Sequence, residues 1–161
     1  MLLDHPLQPG ARLLVEERVL RQLRAHRQVD DKTTEAGGIL VGYRRGDHLH
    51  VVAATPPGPR DVRERYAFER QDPIHQARAT KGWRRSGGRQ DYLGEWHTHA
   101  EALPRPSQID FVEWRKLGCM RHLPMVFIVV GRDGFWFGVG DAQRVLQAEG
   151  QPHGLEAANV P

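Results

Sequence analysis

Residues 92–117 read YLGEWHTHAEALPRPSQIDFVEWRKL and predict a strand, a loop and a helix in that order. The strand is expected from Tyr92 to His97, where aromatic and apolar residues are frequent. The segment from Thr98 to Pro106 is polar and contains prolines, which is typical of a loop. From Ser107 to about Leu117, apolar residues recur at helical spacing. This stretch therefore places a helix directly after the end of a strand.

Two histidines and an aspartate in this stretch are suited to bind one metal ion. His97 and His99 are two residues apart at the end of the strand, so their imidazoles point to the same side of the sheet. Asp110 lies with Trp114 on the inward face of the helix, where an ionised carboxylate needs a partner. A metal ion bound by both histidines would neutralise this carboxylate and give the three protein ligands of a catalytic zinc site.

Simpler interpretations of the same residues exist. An isolated His-x-His is often a pair of ordinary surface histidines, and the chain has nine histidines. Ser107 and Asp110 also resemble a helix cap, with the serine as N-cap and the aspartate near the positive end of the helix dipole. Capping and metal binding are compatible, so both interpretations stay open at this point.

The rest of the chain predicts a mixed sheet flanked by helices, an α/β (α+β) class. The expected elements are an amphipathic helix over 15–27, a hairpin of 37–43 and 49–54, a short strand over 66–68, a helix from Pro73 toward Gly88, and strands over 125–130 and 135–139. With 161 residues, we expect a single domain over 1–161. Its core is expected at about 11–149, with an insertion at about 56–91 and loose ends at 1–10 and about 150–161.

Composition narrows the functional classes. The single cysteine, Cys119, excludes an internal disulfide framework, fits a cytoplasmic protein and is expected to be buried. The longest apolar stretch, Met125 to Val130, is too short to cross a membrane, and the N-terminus lacks a signal-peptide pattern. The net charge of +3 does not by itself indicate nucleic-acid binding. Residues 60–90 are more basic, with nine Lys and Arg against four acidic residues.

The motif resembles that of a known family. His97-Thr98-His99, then seven residues, then Ser107-Gln108-Ile109-Asp110 is similar to the His-x-His-x7-Ser-x-x-Asp signature of the JAB (JAMM, MPN-plus) zinc metalloproteases. The family's upstream glutamate corresponds to Glu35 in Glu-Ala-Gly-Gly-Ile-Leu-Val-Gly. Most members have a proline where this chain has Ala100, but that proline supplies no ligand. The resemblance spans Val15 to Val139.

A narrower resemblance is to the short stand-alone prokaryotic JAB proteins. It rests on Tyr66-Ala67-Phe68-Glu69-Arg70, Pro73-Ile74-His75-Gln76 and the segment from Tyr92 to His99. Some of those proteins occur in antiphage operons with ubiquitin-like conjugation enzymes. The resemblance implies the JAB/MPN (cytidine-deaminase-like) fold and hydrolysis of an amide at the C-terminal tail of a ubiquitin-like or similarly conjugated protein, in bacterial defence.

The resemblance also implies the role of each site residue. One Zn²⁺ per chain would be bound by His97, His99 and Asp110, and Glu35 would move the proton from water to the leaving amine. The Ser107 hydroxyl would stabilise the negative charge on the carbonyl oxygen. A serine-hydrolase mechanism is disfavoured because the chain has no Gly-x-Ser-x-Gly motif.

Three alternatives remain within this resemblance. A general JAB endopeptidase would act on short peptides, and a non-catalytic MPN scaffold would have lost site residues, none of which is lost here. A nucleic-acid-associated JAB protein would use the basic stretch, but its interspersed acidic residues argue against this. We expect the insertion to bind the protein substrate instead, through Trp83, Arg84 and Arg85, although Trp83 could equally be a core residue.

Overall fold

The computed structural model describes residues 1–150, which form a mixed eight-stranded sheet with helices and a separate two-stranded ribbon. The strands are β1 Leu2–Asp4, β2 Arg12–Val15, β3 Gly37–Arg45, β4 His48–Ala54, β5 Val62–Glu64, β6 Ala67–Glu69, β7 Gln90–Thr98, β8 Met125–Val130, β9 Phe135–Gly140 and β10 Val145–Gln147. The helices are α1 Glu17–Arg24, α2 Ile74–Arg85 and α3 Gln108–Arg121. The expected mixed sheet flanked by helices is confirmed.

The sheet order is β1-β2-β4-β3-β7-β8-β9-β10, so β7 lies in the interior of the sheet. The pairs β2–β4 and β7–β8 are parallel, and the other pairs are antiparallel. Strand β8 is buried along its whole length. Because β7 pairs with β3 on one side and with β8 on the other, its end is held rigidly on both sides.

The two faces of the sheet are covered by different helices. Under α1 lies a mainly aliphatic cluster that includes Leu13, Leu23, Leu40 and Ile128. Under α3 lies an aromatic cluster in which Trp114 stacks on Phe127 and on Trp136. Successive residues of β7 therefore point alternately into two differently packed layers.

The ribbon of β5 and β6 packs against the start of β3. A Cβ atom at Gly37 would lie 2.4 Å from the Phe68 ring, so only glycine permits this approach. The main-chain N–H of Glu35 donates to Glu64 O at 2.7 Å, which joins β5 to the residues before β3. The ribbon, which belongs to the expected insertion, thus lies directly beside the start of the central strand.

The expectation of a loose end at residues 1–10 was wrong. Leu2–Asp4 pairs with β2, and the N–H of Asp4 donates to Glu149 O, so distant residues stabilise a strand too short to give a sequence pattern. Cys119 was also expected to be buried and is exposed. Its neighbour Gly118 packs against the main chain of Asp141 instead, and this turns the cysteine outward.

Other differences concern boundaries. Helix α3 continues to Arg121, beyond the expected Leu117, and β7 starts at Gln90 and ends at Thr98. Strands β2, β5 and β10 were not predicted, and the helix expected over 15–27 is limited to Glu17–Arg24, because Val15 ends β2. The expected loose tail lies outside the described residues beyond Gly150. No helix within residues 1–150 has the length and apolar character that crossing a membrane requires.

Candidate active site

His97, His99 and Asp110 converge at the end of β7. Nε2 of His97 lies 3.0 Å from Nε2 of His99. Asp110, on the first turn of α3, places Oδ1 3.2 Å from His97 Nε2 and Oδ2 3.5 Å from His99 Nε2. Within residues 1–150, no other group of three His, Cys, Asp or Glu side chains has converging ligand atoms.

These three donors fit a zinc ion. Tetrahedral zinc with bonds of about 2.0–2.1 Å places its ligand atoms roughly 3.3 Å apart, which is close to the three distances observed. Two imidazole Nε2 atoms that face each other can share only one proton, whereas a cation between them would satisfy both lone pairs. The donors are thus arranged as nitrogen and oxygen ligands of one metal ion.

The protonation states of His99 and Asp110 are those that metal binding requires. Burial, together with the neighbouring His97, lowers the pKa of His99 and favours the neutral imidazole that binds metal. Burial alone would raise the pKa of Asp110, but the hydrogen bond and charge of His97, with hydrogen bonds from Ser107, lower it to about 2. Asp110 is therefore ionised at neutral pH.

Asp110 takes part in the cap of helix α3 and also faces the two histidines. The Ser107 N–H donates to Asp110 Oδ2 at 2.5 Å, and the Asp110 N–H donates to Ser107 Oγ at 3.2 Å, which completes a capping box. The cap fixes the carboxylate while Oδ1 stays directed at His97. Ser107 Oγ accepts in this cap, and its hydroxyl, which also helps to lower the pKa of Asp110, can act as a hydrogen-bond donor.

Glu35 lies on the loop before β3 and is only 6% exposed. Burial raises the pKa of its carboxyl to about 7, with a lowering contribution from His97 and a raising one from Asp110. A buried carboxyl with a pKa near neutrality can both accept and release a proton. Glu35 is therefore suited to general acid–base chemistry beside the converging donors.

One surface pocket of about 680 Å³ contains all five of these residues. One wall is the ribbon, from Tyr66 to Arg70, and the other is formed by Ala100, Glu101 and the exposed residues of α3. Arg70 Nη2 lies 2.7 Å from Glu95 Oε1 at the edge of the pocket, a pair that sequence reasoning missed. The sequence could have indicated Glu95, because it lies two residues before His97 and therefore on the same side of β7.

Trp83, Arg84 and Arg85 lie outside this pocket. They are exposed on α2, and Trp83, 54% exposed, lines two other cavities next to Asp91. Trp83 is therefore not a core residue. The structure does not bring this group together with His97, His99 and Asp110, and its role in substrate binding stays a prediction.

Comparison with known proteins places the chain in a family. Residues 16–144 match the family model described as prokaryotic homologs of the JAB domain. A protein of Escherichia coli (strain TW11681) named CD-NTase/cGAS isopeptidase is 40% identical over 126 residues, which cover 78% of this chain and 80% of that protein. A protein of the same name from Vibrio cholerae serotype O1 (strain ATCC 39315 / El Tor Inaba N16961) is 41% identical over 120 residues, covering 74% and 76%.

A third protein of that name, from Pseudomonas aeruginosa (strain BWHPSA011 / Pa011), is 41% identical over 119 residues, covering 73% of this chain and 75% of its own. The solution structure of protein DSY2949 from Desulfitobacterium hafniense shares the fold with a TM-score of 0.61 and 23% identity, over 85% of this chain and 90% of that one. Because the family model spans most of the sequence and the relatives align over about three quarters of it, this chain belongs to the prokaryotic JAB family.

Proposed function

We propose that the protein is a zinc-dependent isopeptidase of a bacterial defence system that works in the cytoplasm. Its substrate is an amide at the C-terminal tail of a ubiquitin-like or similarly conjugated protein. The observation that carries the proposal is the convergence of His97, His99 and Asp110 in one pocket with the buried Glu35. The relatives named CD-NTase/cGAS isopeptidases support an isopeptide bond as the target.

The protein's own residues account for each proton movement. His97, His99 and Asp110 would hold the zinc ion, which supplies a Lewis acid that polarises water and the amide carbonyl. The Glu35 carboxylate takes the proton of the attacking water and gives it to the leaving amine, as a group with a pKa of about 7 can do. The Ser107 hydroxyl donates a hydrogen bond to the oxygen on which negative charge develops.

The ribbon offers an edge for an extended substrate tail. Among the described residues, β6 pairs only with β5, and residues 66–70 line the catalytic pocket. A tail that adds along β6 gains main-chain hydrogen bonds without requiring particular side chains. Gly38 lies in the pocket wall and packs closely against Thr55, since a Cβ there would lie 2.4 Å from Thr55 O.

A panel of fusions tests the proposal. One set carries a ubiquitin-like protein with a flexible Gly-ending tail before a reporter, and the other carries a folded domain without such a tail. Wild-type protein loaded with zinc should release the reporter from the first set only, and Glu35→Gln should release neither. Cleavage of short free peptides without either fusion would contradict the proposal and favour a general endopeptidase.

A further inference from the structure

A buried amide outside the catalytic pocket bonds to three separate parts of the active-site framework. Gln28, four residues after α1, is 1% exposed. Its Nε2 donates to Thr33 O at 3.0 Å and to Arg65 O at 2.8 Å, so both amide protons are used. Thr33 precedes Glu35 by two residues, and Arg65 lies in the turn between β5 and β6. A single side chain thus bridges the Glu35 loop and the ribbon.

The carbonyl end of the same amide faces the metal-binding strand. Oγ1 of Thr98, fully buried between His97 and His99, donates to Gln28 Oε1 over a long 3.5 Å. Thr98 Oγ1 also accepts from the Ala36 N–H at 3.0 Å, and the Thr98 N–H donates to Ala36 O at 2.8 Å. The end of β7 is therefore tied to the residue that follows Glu35.

The main chain of Glu35 is itself held by the ribbon. Its N–H donates to Glu64 O at 2.7 Å, and its carbonyl accepts from Arg63 Nε at 2.7 Å. Gln28 bonds on both sides of this contact, because one acceptor, Thr33 O, lies in the Glu35 loop and the other, Arg65 O, follows Glu64 in the ribbon. Without Gln28, two partly buried carbonyls lose their donor, and leaving them unpaired favours separation of the two segments.

We infer that Gln28 is a positioning residue that fixes the Glu35 loop to the ribbon and to the strand that carries the two histidines. This inference rests on the proposed function, in which the ribbon receives the substrate tail. The side chain does not line the catalytic pocket, so it acts through Glu35. Arg63 performs the same task from the exposed side of the ribbon.

Hydrogen exchange of the metal-free protein tests the linkage independently of catalysis. Gln28→Met keeps the length of the side chain and removes its hydrogen bonds. We expect exchange in residues 33–36 and 62–69 to rise by about tenfold or more, the scale of one lost buried hydrogen bond. Gln22→Met is the matched control, because Gln22 on α1 makes one hydrogen bond, to Ala54 O, on β4. A uniform rise over the whole chain, or the same local rise in the control, would overturn the inference.

Kinetics test the positioning role. With zinc content unchanged, Gln28→Met and the exposed Arg63→Met should each lower kcat on the tail fusion by about tenfold or more with little change in KM, since a small misplacement of a reacting group is costly. In a Glu35→Gln background neither should lower kcat further. Further loss there, or an unchanged kcat in both single variants, would overturn the positioning role. If the wild type cleaved no fusion, the proposed function would fail, and the exchange result would still decide the linkage.

Discussion

Nε2 of His97 and Nε2 of His99 face each other at 3.0 Å, with the Asp110 carboxylate against both rings. These three donors are spaced as the ligands of one zinc ion would be. We expect one zinc ion per chain by metal analysis, and strong zinc loss in His97→Ala and Asp110→Ala. His48→Ala, at an exposed histidine outside the site, should keep its zinc. Wild-type protein that takes up no zinc would contradict the metal site.

Glu35→Gln should separate catalysis from metal binding. Glutamine cannot take the proton of the attacking water, but it is nearly isosteric and is not one of the three converging donors. We expect activity to fall by about 10² or more, the scale of general acid–base catalysis, with zinc content and melting temperature near those of the wild type. Retained activity would show that another group moves the proton.

The convergence of His97, His99 and Asp110 could be predicted because it is local in sequence. Alternation along β7 places His97 and His99 on one side, and the helical period places Asp110 inward after a loop of fixed length. These regularities need no tertiary information. The hairpin of β3 and β4 was predicted for the same reason, since its two apolar stretches and the turn between them are visible in the sequence.

The surroundings of Glu35 could not be predicted in the same way. Its partners Arg63 and Glu64 are almost thirty residues away in sequence. A short strand was expected at 66–68, close to β6, but β5 and its pairing with β6 were not, because these three-residue strands are mostly exposed and carry no hydrophobic alternation. Gln28 looks like any polar residue after a helix, and only the folded chain shows that it is buried. Long-range hydrogen bonding, which leaves no periodic signal, decided these features.

The stability of the metal-free protein should depend on the ionisation of Glu35. Its pKa is about 7 in the folded protein, above the ordinary value of about 4.3 in an unfolded chain. Between these values the folded state binds more protons, so this group makes stability fall as pH rises from about 4 to 8. Thermal melts in chelator should therefore show Glu35→Gln gaining stability relative to wild type over that range. A constant difference would show that the carboxyl is not desolvated.

The ionisation of Asp61 should change stability with pH in the direction opposite to that of Glu35. It accepts hydrogen bonds from three backbone N–H groups, and its Oδ2 lies 2.9 Å from Nε2 of the buried His75. Burial alone would raise the pKa of Asp61, but these hydrogen bonds hold it below its usual value. The stabilisation is present above the unfolded pKa of about 3.9 and is lost as pH falls through the lower folded value.

Asp61→Asn tests this contribution. The variant should be less stable than wild type near neutral pH, and the difference should narrow below about pH 4 as the wild-type carboxyl becomes protonated. Melting temperatures between pH 3 and 7 measure it. Asp47→Asn is the control, because Asp47 is exposed and its carboxylate accepts no hydrogen bond from residues 1–150. A difference that is independent of pH would contradict the assigned role.

We expect the basic face of α2 to bind the folded body of the proposed substrate. From Pro73 to Gln90 the sequence has no acidic residue, and Arg84 and Arg85 are exposed without an ion-pair partner among the described residues. The helix belongs to the same insertion as the ribbon beside the catalytic pocket. We therefore propose that a bound protein contacts α2 while its tail lies along β6.

Charge reversal on α2 should separate docking from chemistry. Arg84→Glu combined with Arg85→Glu, and separately Trp83→Ala, should raise KM for a conjugated protein by about tenfold, the size of a moderate interface contact. Turnover of a short tail peptide should not change, because none of these residues lines the catalytic pocket. The effect of the charge reversal should shrink at high salt, where exposed charges are screened. Arg21→Glu, an exposed change on α1, is the matched control. Equal losses on protein and peptide would show that α2 supports the fold and does not bind the substrate.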